Sequence, residues 1–384
     1  MEHSWNNDLD GGSVTDSEKI DDIDDIDTLE SFSVVSTSST DVQREDAVER
    51  NGTAIQKDGE LWLDDGTVVI VANGAVAYRV YKGTLGSVSP VFRDLMADPN
   101  LKDSELMDGV PVVRVDDAPE NLRHFLNFLA QPRFDTIHPM STFPLSYASL
   151  AAVGRIGRKY QVESAVHAVT SRLLRFFAPP PTLWVDSTRS WYDRWQWWKE
   201  QNALEIQVDD AIDAVNLIRL LDEPAALPFA LYLCSLCDPV QLRDGIVQED
   251  GSIARLSDED FGRCVRGSLF IAQASHGILQ YAIGSMKQGR CQRLRVCTPV
   301  LVDYMSRAHA AGMVAESYPL SDVFVRLNFR NPEPDAYALY SGQLCSWCKE
   351  ELCSWSVTAA RDIFLKLSRM FDVESDTLVG RSAF

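Results

Sequence analysis

No catalytic signature runs through this chain. A G-x-x-x-x-G-K-[ST] phosphate loop, a G-x-S-x-G elbow, an H-E-x-x-H pair and a G-x-G-x-x-G turn are all missing, and the six histidines are scattered with no close pair. Those absences remove the commonest sequence routes to nucleotide, ester, peptide and dinucleotide chemistry. Long hydrophobic runs are missing too. The longest, Ala225 to Cys237, is too short to span a bilayer and is interrupted by Pro228. The first thirty residues carry neither a basic block nor an apolar block of a secretory signal. The expectation is an intracellular protein, cytoplasmic or nuclear, with no membrane partner. In a reducing compartment the eight cysteines read as thiols or metal ligands before they read as disulfides. Basic charge is scarce as well: 36 Lys/Arg stand against 56 Asp/Glu, a net charge of −20. An acidic globule is a poor electrostatic match for phosphate backbones, so no nucleic-acid partner is expected.

That charge is uneven. Residues 1–50 hold fifteen acids and three bases, which puts −12 of the −20 there and leaves −8 for the other 334 positions. Residues 1–57 are rich in Asp, Ser, Thr, Glu and Asn, and Asp21-Asp22-Ile23-Asp24-Asp25-Ile26-Asp27 repeats an acid–acid–Ile unit. Such a segment buries too little apolar surface to offset its ordering entropy, so it reads as a disordered acidic tail. A sharper reading makes Ile23, Ile26, Leu29 and Phe32 one face of a helix that forms on a partner. With 45% hydrophobic residues, the rest can bury a sizeable core. The division expected is a tail over 1–57, an α+β domain over 58–178, a Trp-rich linker or helix over 179–202, a mainly helical domain over 203–373 and a flexible tail over 374–384.

Order is expected from about Leu61. Val68 to Ala72 is a short β-branched run and reads as a buried strand, Asn73-Gly74 is the dipeptide favoured in a tight hairpin, and Ala77 to Tyr81 reads as the return strand. Lys82 to Val88 follows as a short helix or turn. Ser89-Pro90 then opens a helix, with Ser as cap and Pro at the first position, on which Val91, Phe92, Leu95 and Met96 share a face. Asp98-Pro99-Asn100 stops it. Val110 to Val115 reads as a third strand, and Asp116 to Glu120 reads as a helix start with acids at the positive end of the dipole. Leu122, Phe125, Leu126 and Leu129 line that helix. A loop over 131–143 leads to helices over about Leu145–Tyr160 and Val162–Phe177, and Pro179-Pro180-Pro181 ends the unit.

These segments carry a family pattern. Tyr78-Arg79-Val80-Tyr81-Lys82-Gly83-Thr84-Leu85 through Ser89-Pro90-Val91-Phe92-Arg93-Asp94-Leu95-Met96 resembles the "F-x-V-H-K-x-x-L-x-x-x-S-x-x-F-x-x-x-M" signature of BTB/POZ domains. Val112-Val113-Arg114-Val115, Asn121 to Ala130 and Leu150 to Tyr160 resemble the strand and helices that follow it. The match spans about 120 residues. From about 203 onward the chain is similar to the C-terminal part of BTB proteins of mushroom-forming fungi, in Ala211 to Leu217, Leu227 to Tyr232, Asp250-Gly251-Ser252 and Leu256 to Asp260. The resemblance implies a small sheet covered by helices, followed by a mainly α-helical domain. It also implies a non-enzymatic adaptor that forms a homodimer, and an alternative role as substrate adaptor of a cullin-type ubiquitin ligase. The dimer seam it implies involves Leu61, Leu63, Asp65, Lys82, Phe92 and Arg93, with Asp65 and Lys82 as a charged pair. A cullin would use Asn121–Ala130 and the loop 131–143. Tyr81 stands where the family has His, and an aromatic with one polar atom suits that half-buried slot.

Two further groups call for a reading. Trp184, Trp191, Tyr192, Trp195, Trp197 and Trp198 crowd one stretch, and Trp191, Trp195 and Trp198 share a helix face. A linking helix packed on a domain explains them, with a partner-docking surface as the alternative. Cys345-x2-Cys348 has zinc-ligand spacing, and Cys291-x5-Cys297 offers a second pair. Buried free thiols are the commoner outcome for such residues, so no cofactor is required; a structural zinc is the alternative. Gly154-Arg155-Ile156-Gly157 reads as a packing site inside a helix, and His124 and His167 as structural histidines. An enzyme with its site in 203–373 is the rival reading, for which Asp258, Glu259, Cys264 and His276 are the residues to inspect. A nuclear scaffold would call for a basic patch or a zinc-finger array, and neither is present.

Overall fold

The computed structural model describes residues 55–97, 105–130, 144–180, 191–286, 290–310 and 343–373. All of them lie in the second of two compact units, Ala47–Phe384. The acidic segment, the 131–143 loop, the stop at 98–100, Trp184 and the 374–384 tail lie outside the described residues.

The fold is α+β. It begins with β1 (Gln56–Trp62), β2 (Val68–Ala72) and β3 (Val76–Val80), followed by α1 (Lys82–Val88) and α2 (Pro90–Ala97). Next come β4 (Leu106–Met107), β5 (Val110–Val115), α3 (Pro119–Ala130), β6 (Leu145–Ser146), α4 (Tyr147–Lys159) and α5 (Glu163–Phe177). The first five strands make one sheet in the order β1-β3-β2-β5-β4. β2 sits at its centre, antiparallel to β3 and parallel to β5. Its five residues are all buried because both of its faces are covered. Val68, Ile70 and Ala72 point into the helical core, while Val69 and Val71 join Ala77, Met107, Val110 and Val112 in a smaller cluster on the other face. The β2–β3 turn takes Asn73 and Gly74 to φ 45 and 67, the left-handed pair that such a hairpin needs.

Order starts earlier than Leu61. β1 begins at Gln56 and pairs parallel with β3, with its register broken between Lys57 and Trp62. Asp58 holds that irregularity. Its carboxylate accepts from the backbone N–H groups of Glu60 and Leu61 and meets Arg123 of α3 at 3.0 Å. An alternation broken by acids and a glycine hides this strand from a periodicity reading. β4 is likewise invisible at two residues, and Leu145–Ser146 is strand where a helix start was expected. On α2 the expected apolar face is incomplete: Phe92 is fully buried, Val91 and Met96 are half-buried, and Leu95 is exposed.

The C-terminal half is helical, as its spacing implied. α6 (Trp191–Asn202) and β7 (Leu204–Glu205) lead to α7 (Asp210–Leu221), a short 3-10 turn, α8 (Leu227–Cys234) and α9 (Pro239–Asp244). The β8 (Ile246–Val247) and β9 (Ile253–Ala254) hairpin precedes α10 (Asp258–Met286), α11 (Leu294–Ala310), α12 (Ser346–Leu365) and α13 (Leu367–Met370). Trp195 and Trp198 are buried against Phe176, and the Trp198 ring N–H donates to the Phe176 carbonyl at 3.1 Å. α6 is therefore a packed helix. β7 pairs with β6, stitching the two halves together.

One apolar core runs from Leu61 through α4, α5, α7 and α8 to Phe371 and Val373. α4 stands at its middle. A Cβ on Gly154 would lie 3.0 Å from Val169 and 3.1 Å from Leu217, and one on Gly157 would lie 2.9 Å from Ala165. These glycines admit α5 and α7 at close range, the packing role expected of them. Beside them Asp213 of α7, only 2% exposed, pairs with Arg155 and accepts from the Tyr147 hydroxyl at 2.9 Å. Removing the carboxylate leaves a cation and a phenol without their buried partner. Asp213→Ala should lower stability by about 3 kcal/mol, the lower end for a buried pair because Arg155 keeps some solvent contact. Urea denaturation of the variant checks this; a loss under about 1 kcal/mol would make the junction incidental.

Candidate functional site

Two regions carry the residues singled out by sequence: the outer side of the β1–α1–α2 corner, and a group of four cysteines.

At the corner the structure separates the expected residues. Leu61 and Phe92 point inward, at 4% and 0% exposure, so both belong to the chain's own core and neither offers surface. Ser89 explains the place of Phe92. Its hydroxyl accepts from the Phe92 N–H at 3.0 Å as an N-cap and donates to the Tyr160 carbonyl at 2.6 Å, and the Phe92 and Tyr160 rings stack at 4.2 Å. Leu63 is half-buried, while Asp65, Lys82 and Arg93 are exposed. Asp65 does not pair with Lys82. It accepts from the Tyr81 hydroxyl at 2.5 Å, and Tyr81 is itself 40% exposed rather than half-buried. That hydrogen bond comes first among the causes that raise the Tyr81 phenol above its ordinary pKa. Arg93 donates to the Gly86 carbonyl at 2.9 Å, which ties α2 across α1. The buried acid of this region is Asp58, which the sequence reading missed. Its signal was an acid followed by glycine inside an otherwise alternating strand.

The other face named by the resemblance, α3, is partly covered. Asn121 donates to Asp250 of the β8–β9 turn at 2.8 Å, and His124 lies 3.9 Å from Glu249 and 3.0 Å from the Ser149 hydroxyl. His124 is a satisfied structural histidine, as expected.

The four cysteines converge. Cys291 and Cys297 flank the start of α11, and Cys345 and Cys348 flank the start of α12. Their sulfurs all lie within 4.8 Å of one another, with Cys291 and Cys345 at 3.9 Å. Cys297 and Cys348 are fully buried, and the Cys345 N–H donates to the Cys297 sulfur at 3.4 Å. Burial works against a Cys345 thiolate, but the Cys348 N–H and the neighbouring thiols outweigh it and bring that thiol down to about 7. Burial pushes the Cys348 thiol well up, and the other thiols add to that. Cys234 and Cys264 behave differently. Both sit inside the main apolar core, and the Cys264 thiol donates to the Leu231 carbonyl at 3.8 Å.

Of the residues named for the rival reading, Asp258, Glu259 and Cys264 do not share a site. Asp258 and Glu259 are exposed in the first turn of α10, with Glu259 paired to Arg263 at 2.7 Å. Cys264 is fully buried, and the His276 side chain lies outside the described residues. A cleft of about 590 Å³ between the ends of α4, α5 and α7 is lined by Arg158, His167, Thr170 and Glu223, and by none of those four residues. Compared with known proteins, the chain matches no family model, no curated protein and no solved structure.

One perturbed carboxylate near α4 has a structural cause. Asp210 accepts from the Gln207 N–H at 2.7 Å, yet burial, with Asp209, Asp213 and Glu249 nearby, pushes it up to about 6. The native state then holds a proton that the unfolded chain loses near its ordinary value of 3.8. Its contribution is full below about pH 4 and is lost as pH rises through about 6. The contribution of Asp210 to stability should therefore fall over that window, and between about pH 4 and 6 Asp210→Asn should gain about 1–2 kcal/mol relative to the wild type after discounting for solvent. Urea midpoints at stepped pH check the slope; parallel curves for both proteins would contradict the assignment.

Proposed function

We propose that the chain is a BTB/POZ-type protein-interaction subunit that works as a homodimer and brings a further protein to that dimer without transforming a substrate. The observation that carries this reading is the meeting of Ser89, Phe92 and Tyr160. The first two stand in one segment of the signature, and Tyr160 stands in another, 71 positions from Ser89. They share a hydrogen bond, a cap and a ring stack. Residues spaced so far apart, yet spent on one contact, mark a pattern set by the fold. The element order supports it as well: hairpin, two short helices, strand, helix and helix pair, as the resemblance implies.

The homodimer reading rests on the outer surface of the corner. Tyr81 and Leu95 are large and exposed, and they stand among Asp65, Lys82, Arg93 and Asp94. Mixed charge around apolar anchors suits a two-fold contact in which each copy meets the same patch of the other. The non-enzymatic reading rests on where the buried carboxylates go. Asp58, Asp117, Asp213 and Asp260 each meet a Lys or Arg within the chain.

Light scattering on the full chain at roughly tens of micromolar should give near twice the 42.9 kDa chain mass. Leu95→Glu with Arg93→Glu should halve it while leaving the circular dichroism unchanged. A wild-type monomer would remove the dimer from this account.

A further inference from the structure

We propose that Cys291, Cys297, Cys345 and Cys348 hold one structural zinc ion as a closed tetrathiolate that clasps the start of α11 to the start of α12.

The geometry carries the assignment. A tetrahedral zinc with sulfur at about 2.3 Å sets its sulfurs about 3.8 Å apart. Here Cys291 and Cys345 are 3.9 Å apart and all four sulfurs lie within 4.8 Å. A disulfide needs about 2.05 Å, so Cys291 and Cys345, at 3.9 Å, would have to close by well over an ångström to form one. Among the described residues, the four converging cysteines lie outside the main apolar core that holds Cys234 and Cys264, and Cys297 and Cys348 are fully buried. Two segments more than forty residues apart in sequence supply two ligands each, and each pair flanks the start of a long helix. The helix dipoles there favour the negative charge that a zinc tetrathiolate carries.

Four thiolates fill every position of a tetrahedral ion. No site remains for water or substrate, so the ion is structural and not catalytic. Binding converts four thiols and Zn²⁺ into a tetrathiolate of net charge −2 and releases four protons, with no change of oxidation state. The hard-ligand metals magnesium and calcium are excluded by the all-sulfur set.

The test is metal analysis of the full chain, expressed with zinc supplied and purified under reductant. One equivalent of zinc is expected. Cobalt exchanged into the site should give the sulfur-to-cobalt charge-transfer and visible bands of a tetrahedral tetrathiolate. Cys348→Ser should lose the metal, while Cys237→Ser, outside the cluster, should keep it. Should Cys348→Ser fail to fold, stripping the wild-type chain with a chelator and returning zinc gives the same answer: one equivalent should rebind with proton release. A folded wild-type chain that takes up no zinc would overturn the proposal. So would an iron-loaded chain, or a Cys348→Ser variant that retains a full equivalent.

Discussion

The architecture depends on how closely helices can approach α4. Along Tyr147–Lys159 the residues Tyr147, Leu150, Ala151, Ala152, Val153, Gly154, Ile156 and Gly157 are all buried, so the helix has almost no solvent side. A helix buried nearly all round belongs to the centre of a large core. Small residues make this tolerable: Gly154 meets Val169 and Leu217, and Gly157 meets Ala165. The sheet's helical cover and the C-terminal helices therefore share one wall. Asp213 reaches across that wall to Arg155 and Tyr147, so the apolar contact is fixed in register by a buried polar one.

The same economy applies to the other buried charges. Asp117 accepts from Lys159 at 2.7 Å and from the Tyr160 hydroxyl at 2.5 Å, holding the start of α3 to the end of α4. Asp260 meets Arg219 and Arg263, each at 2.9 Å. Burial works against its charge, but the two guanidinium groups hold its carboxyl below the usual range. Buried acids joined to cations in this way lock helices together and leave no poised general acid or base at these positions.

Much of the fold was legible because its signals are local. A five-residue β-branched run, Asn73-Gly74 and Ser89-Pro90 each have a stereochemical meaning that context does not override. β1 was not legible, because its order comes from Asp58 reaching Arg123, 65 positions away, rather than from any alternation. Leu61 and Phe92 were read as surface because a motif shows which residues matter, not which way they face. Within the chain the Asp65 carboxylate meets the Tyr81 hydroxyl and not Lys82, a contact between side chains that no sequence spacing shows. The four cysteines were legible as two pairs by spacing, but only the fold brings the pairs together. The acid run and the first Trp of the cluster lie outside the described residues and add nothing to this comparison.

The sheet, α4 and the helices α7 and α8 form one core and not two independent ones. Native-state amide exchange on the full chain tests it most directly. The account predicts that amides of β2, α4 and α7 fall in one slowest class, opening with the same free energy. A α7–α8 region that opens at a distinctly lower free energy than β2 would contradict it.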